Sequence, residues 1–163
     1  MYYFVKGDFL NYENLLEEAT CDNIYVVENA DFKSKADGLI NGDVIGISRK
    51  IRSTRKRTCI LAEELGHYHT STGNILNQST TANRKQEYRA RLWAYNKLIG
   101  LNGIVSAYQA GCQNIHDMAA HLDVTTDFLQ EALSCYRNKY GVYARIDNYV
   151  IYFEPTIGVF ELI

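Results

Sequence analysis

The stretch Leu61 to Thr70, LAEELGHYHT, places two adjacent carboxylates, Glu63 and Glu64, close before a histidine, His67. On an α-helix, residues four apart lie one turn above each other on the same face. Glu63 and His67 can therefore converge on one metal ion, with Glu64 flanking the same point. In the familiar metalloprotease pattern, His-Glu-x-x-His, the two histidines bind zinc and the intervening Glu takes a proton from water. Here Glu63 stands at the first histidine position. Zinc accepts carboxylate oxygen at a distance similar to imidazole nitrogen, so the pair can still ligate. The extra negative charge would make the ion a weaker Lewis acid and a harder ion such as Mn more competitive.

Such a site needs a third protein ligand and leaves a fourth position to water. The segment EYRARLWA supplies Glu87, with Ala90 and Ala94 following at helical spacing. Small residues there would let this second helix pack tightly against the first, and Gly66 would permit the same approach from the other side. His69 points about 200° away from His67 on a helix and is a poor ligand beside it. On these residues alone a solvated acidic helix face remains the competing reading.

The elements that must position these groups can be read from caps, turns and periodicity. DFLNYENLLEEATC has helical spacing, with Asp8 or Asn11 as cap. NIYVVENA is a short β-rich run. In GLINGDVIGIS, Asn41-Gly42 marks a tight hairpin turn. Ser53 or Thr54 caps a helix running to about His69, with Cys59, Ala62, Leu65 and Gly66 on its buried side. A second helix covers about Ala82 to Ile99 and ends at Gly100. A shorter one stops at Gly111. Asn114 to Tyr140 reads as helix, turn at Asp123-Val124 and helix, with Thr125 as cap and Gly141 as stop. The aromatic tail around Pro155 predicts a terminal hairpin or a pair of strands. Trp93 is expected to anchor the core between the two motif helices. The order gives an α+β fold in one domain of 163 residues: 1–52 N-terminal helix and strands, 53–99 the motif helices, 100–141 a helical part and 142–163 strands.

Composition narrows the function classes. The formal net charge is −2 with both signs spread along the chain, which argues against general nucleic-acid or membrane binding. The exception is the basic run Arg49 to Arg57, read as a solvated loop and helix start. The four cysteines sit far apart without a Cys-x-x-Cys, so a cysteine-built zinc site is not expected. MYYFVKGDFL lacks the basic start and apolar run of a secretory signal, and no apolar run is long enough to span a membrane. A cytoplasmic, reduced location is the expectation. His116 and His121, five apart, do not share a helix face and are read as surface or satisfied core histidines. The second helix of the Asn114–Tyr140 pair carries Asp127 and Glu131 in its first turns and no cation to reach base edges. That argues against a DNA-reading helix-turn-helix.

From about Gly38 to Ile99 the chain resembles the ImmA/IrrE family of metallopeptidases. That family has a β-hairpin leading into a helix with His-Glu-Leu-Gly-His, then a helix with Glu-x-x-Ala-x-x-Phe-Ala. Here Glu64, Leu65, Gly66 and His67 match the first motif and Glu63 departs from it. Glu87, Ala90 and Ala94 match the second, with Trp93 for Phe. The resemblance implies a zincin-like core with small sheets or hairpins packed on a helical bundle. It implies metal ligation by His67 and Glu87, with Glu63 in the first ligand position, and Glu64 as general base. The implied cofactor is zinc, with Mn or another divalent ion as alternatives. The implied partner is a helix-turn-helix repressor of a prophage or mobile element, as substrate. Two readings stay open: Glu63 ligates as a carboxylate, or it marks a chain that lost catalysis and kept a binding role.

Overall fold

Local capping chemistry opens the first helix. Asn11 Oδ1 accepts from the Asn14 amide at 2.9 Å and Asn14 Oδ1 accepts from the Asn11 amide at 3.0 Å, a reciprocal box that satisfies two otherwise orphaned donors. This fixes the start of α1 (Tyr12–Cys21). The structure, a computed structural model, describes residues 9–71 and 80–163, so Asp8, the other cap considered, lies outside the described residues.

The chain then forms β1 (Tyr25–Ala30), β2 (Gly38–Asn41) and β3 (Val44–Ser48). Two helices follow, α2 (Thr54–Thr70) and α3 (Thr80–Leu98). Next come α4 (Gly100–Gln109), α5 (Ile115–His121) and α6 (Thr126–Tyr140). The last elements are β4 (Tyr143–Ile146), β5 (Tyr149–Tyr152) and β6 (Gly158–Glu161). The architecture is α+β: helices with two separate three-stranded sheets among the described residues.

The first sheet has the order β1-β3-β2. β2 and β3 form the expected hairpin, but Asn41 pairs with Val44, so the two loop residues are Gly42 and Asp43 rather than Asn41 and Gly42. Gly42 takes φ 62°, which an L side chain adopts only under strain. β1 pairs with β3 in parallel, a long-range choice that no local pattern announces. The second sheet, β4-β5-β6, corrects the expectation of a terminal hairpin or strand pair. Pairing lapses around Pro155, which has no N–H to donate. The alternating GVFE then returns as a third strand. Tyr143, Tyr152 and Phe160 make an exposed aromatic row on its outer face, with ring centroids 5.8 and 5.6 Å apart.

Ser53 caps α2 through Lys56 N, and Thr125 caps α6 through Phe128 N. The expected buried side of α2, Cys59, Ala62, Leu65 and Gly66, is buried, and Leu61 is fully enclosed with it. α2 and α3 share the most extensive contact in the fold. The cause is local: a Cβ built on Gly66 would fall 2.3 Å from the main-chain oxygen of Ala90, so only glycine allows the two backbones this close. Ala90 and Ala94 are fully buried in the same seam. Trp93 is half-buried rather than central, stacked on His69 with ring centroids 4.9 Å apart.

The basic run is largely spent on ion pairs. Arg49 pairs with Asp31 at 3.2 Å, Arg55 with Asp123 at 3.1 Å, Lys56 with Asp37 at 2.8 Å and Arg57 with Glu28 at 3.7 Å. The four cysteines are unpaired, and burial pushes the Cys59 thiol up to about 11. Among the described residues no helix is long and apolar enough to cross a membrane.

Candidate functional site

The close α2–α3 seam determines what can meet at the last turns of α2. His67 points across it, and its Nε2 lies 3.6 Å from Glu87 Oε1 on α3. Two ligands of a tetrahedral ion with bonds of about 2.0–2.1 Å stand about 3.3 Å apart, so this pair is close to ligating separation. Imidazole nitrogen and carboxylate oxygen are also donors that a divalent ion of the zinc or manganese kind accepts. His67 and Glu87 thus offer two of the three protein donors that such a site needs.

Glu64 lies one residue further round the helix and faces the hairpin. A Cβ on Gly38, the first residue of β2, would fall 2.8 Å from Glu64 Oε1 and 2.5 Å from Ile60 Cγ2, so this strand passes directly over the carboxyl. Burial, then the negative charges of Glu63 and Glu87, push the Glu64 carboxyl up to about 7. Among the described residues, β2 has β3 on one side and no strand on the other. The half-buried carboxyl thus lies against the face of an edge strand.

Glu63 is also raised above the usual carboxylate range, chiefly by burial. The Arg91 guanidinium opposes that shift, while Glu131, Glu87 and Asp37 reinforce it. Arg91 is four residues beyond Glu87, with Nε 4.0 Å from Glu87 Oε2. The structure brings His67 and Glu87 together but does not gather Glu63 with them into one three-donor group; a different trio is gathered that way among the described residues. Glu18, Asp22 and His69 have donor atoms within 4.8 Å of one another. Helical geometry turns His69 from His67, as expected, and directs it to α1: its Nε2 is 3.3 Å from Asp22 and 3.9 Å from Glu18. Lys97 Nζ stands 2.7 Å from Glu18 Oε2 and already supplies a cation to that junction.

Other residues fall where the sequence reading put them or were not visible in it. His116 Nδ1 lies 3.3 Å from Thr126 Oγ1, and His121 Nε2 3.1 Å from Ser106 Oγ. Both histidines have local partners far in sequence from the EExxH turn. Arg91 was legible in principle, since Glu87-x-x-x-Arg91 is an i,i+4 ion-pair spacing. Gly38 and Glu131 were not, because they reach the site only through tertiary packing. Glu131 accepts from the Tyr95 hydroxyl at 3.1 Å, which binds α6 to α3. Compared with known proteins, the chain matches no family model, no curated protein and no solved structure.

Proposed function

We propose that the protein is a metal-dependent endopeptidase with a zincin-like core, of the kind the ImmA/IrrE resemblance implies. Its substrate would be a helix-turn-helix repressor of a prophage or mobile element, met in the cytoplasm. The observation that carries this reading is Glu64. A half-buried carboxyl raised to about 7 lies against the edge strand β2, and the charge of Glu87, the partner of His67, is among the causes of its shift. A divalent ion held by Glu63, His67 and Glu87, zinc or a harder ion such as Mn, would polarise the scissile carbonyl and acidify water.

The remaining work belongs to the chain's own side chains. An extended peptide can add to the open edge of β2 through main-chain hydrogen bonds, which places its carbonyl near the end of α2. Glu64 takes the proton of the attacking water and delivers it to the departing amine. A carboxyl that titrates near neutrality can do both. The expected outcome is that purified protein carries about one divalent ion. Glu64→Gln should keep the ion but lose roughly 10²–10⁴-fold in cleavage of the repressor. Full relief of repression by that variant would remove the enzyme reading.

One observation favours a second reading, a catalytically inactive module that binds a repressor or partner. Arg91 already balances part of the Glu63 and Glu87 charge without any ion. A metal-free protein whose Glu64→Gln variant still relieves repression is what that reading expects. Direct DNA binding has less support. The first turns of α6 carry Asp127 and Glu131, and Glu131 is engaged by Tyr95. A salt-sensitive shift of operator DNA by the protein alone would speak for it.

A further inference from the structure

α1 ends on two carboxylates. Glu18 stands in its last turn, Asp22 is its C-cap, and that turn holds no basic residue. The carbonyl end of a helix is its negative pole, where acidic side chains are unfavourable and cations are favoured. The last turn of α2 brings His69 to the same place, so the negative ends of two helices meet there with both carboxylates. A helix end that breaks the charge rule twice must be compensated from outside the helix.

Lys97 of α3 supplies part of that compensation. Its Nζ lies 2.7 Å from Glu18 Oε2 and 5.5 Å from the centre of the Trp93 ring. One lysine offsets one carboxylate through one oxygen. The other oxygen of Glu18, Oε1, is 3.9 Å from His69 Nε2, and Asp22 Oδ2 is 3.3 Å from the same nitrogen. The donor atoms of the three residues all lie within 4.8 Å of one another. Two ligands of a tetrahedral ion with bonds of about 2.0–2.1 Å stand about 3.3 Å apart, which is the His69–Asp22 separation.

The neighbours hold these donors in place. The His69 ring is stacked on Trp93, with centroids 4.9 Å apart, and edge-on to Tyr68 at 5.3 Å. Lys97 grips the far oxygen of Glu18 and leaves the near one turned to the histidine. A ring fixed by packing and a carboxylate fixed by an outer partner are how metal ligands are oriented.

We propose that Glu18, Asp22 and His69 bind a divalent metal ion of the zinc kind, which staples the end of α1 to the end of α2. One imidazole nitrogen with two carboxylate oxygens suits zinc, nickel or cobalt, whereas calcium and magnesium take oxygen ligands. The side chains are 25, 38 and 29 % exposed, so water reaches the remaining coordination positions. The site shares no residue with Glu63, Glu64, His67 or Glu87, and it stands or falls apart from the peptidase reading.

The test uses the emission of Trp93, the single tryptophan, in the full chain titrated with Ni²⁺. An open-shell ion on His69 quenches the indole stacked against that ring, and excess closed-shell Zn²⁺ should displace it and restore the emission. The proteins are wild type, Glu18→Gln, Asp22→Asn, His69→Gln and, as a control for the other histidine of the turn, His67→Gln. Circular dichroism confirms that each is folded. Wild type and His67→Gln should show saturable quenching by one ion. Each of the other three should weaken it more than about tenfold, the lower end of what losing even an outer partner of a metal ligand costs. Zn²⁺ should also raise the urea midpoint of wild type and leave that of Asp22→Asn unchanged. Affinity unchanged in both Glu18→Gln and Asp22→Asn overturns the site, as does folded wild type that Ni²⁺ does not quench. Quenching lost in His67→Gln and kept in Asp22→Asn also overturns it, and places the ion at the α2–α3 seam instead.

Discussion

Glu64 is a carboxyl under strain from its surroundings, and that has a measurable sign. Burial and two neighbouring carboxylates raise it to about 7, and Glu63 shifts in the same direction. A folded-state value above the unfolded one means the folded protein binds the extra proton. The associated stability is full below about pH 4.3 and is lost as pH rises through 7. In metal-free protein kept in chelator, Glu64 should therefore cost roughly 2 kcal/mol of stability at pH 8 relative to pH 5, allowing for partial solvent screening. Glu64→Gln should remove most of that slope, read as the difference between variant and wild type in urea unfolding at the two pH values. An identical pH slope in both proteins would show that Glu64 titrates like a solvated carboxylate. At this scale the sequence was informative wherever chemistry is local. Four positions along a helix place Glu87 with Arg91, while the same spacing did not bring Glu63 into one three-donor group with His67 and Glu87. What lay beyond it was the strand over Glu64, because Gly38 is 26 residues away and meets it only through the fold.

The α2–α3 seam is the element on which the site depends. Gly66 touches a main-chain oxygen, not a side chain that could rotate away. Gly66→Ala must therefore push the helices apart, at a cost of about 1–3 kcal/mol. Denaturant unfolding should show that loss. If His67 and Glu87 hold an ion as proposed, its affinity should fall as well, since His67 follows Gly66 directly and Glu87 lies one turn before Ala90 across the seam. A variant of unchanged midpoint would mean the backbones tolerate the methyl. Helix limits were legible because caps and stops act over three or four residues: Asn11, Ser53 and Thr125 open helices, and Gly141 closes one at φ 81°. Sheet partners were not. Nothing in YVVENA says that it pairs in parallel with VIGIS, or that GVFE forms a third strand against YVIY.

Across the whole molecule one buried cluster runs from Leu15 of α1 through Ile45, Leu65, Leu98 and Leu129 to Ile151 of β5. Tyr136 illustrates how it is joined. Its ring is fully buried, packs near Tyr140 and Phe153, and its hydroxyl accepts the Gly100 amide at 3.2 Å. That single side chain ties the start of α4 to α6 and to the segment after β5. Tyr136→Phe leaves a main-chain donor without its partner and should cost about 1–3 kcal/mol. Because the cluster is continuous, the loss should appear as one lowered transition, coincident in far- and near-ultraviolet circular dichroism. Two separated transitions would show that the β4–β6 sheet unfolds apart from the helices. Helical periodicity made Leu15 and Ala19 of α1 and Cys59, Ala62 and Leu65 of α2 legible as core, whereas the strand positions Ile45 and Ile151 lie outside any helical pattern. The hydroxyl–amide link was not legible either, since a tyrosine at position 136 gives no sign of which backbone group it will meet.

The stacking of Trp93 on His69 gives the protein an intrinsic optical reporter. The chain has a single tryptophan, and its indole lies against the imidazole at an interplanar angle of 24°. Contact with an imidazole shortens the excited state of an indole, so emission should brighten when the last turn of α2 leaves α3. His67 lies two residues before His69 on that turn. Ion titrations, seam variants and unfolding can all be followed from the same unlabelled fluorophore.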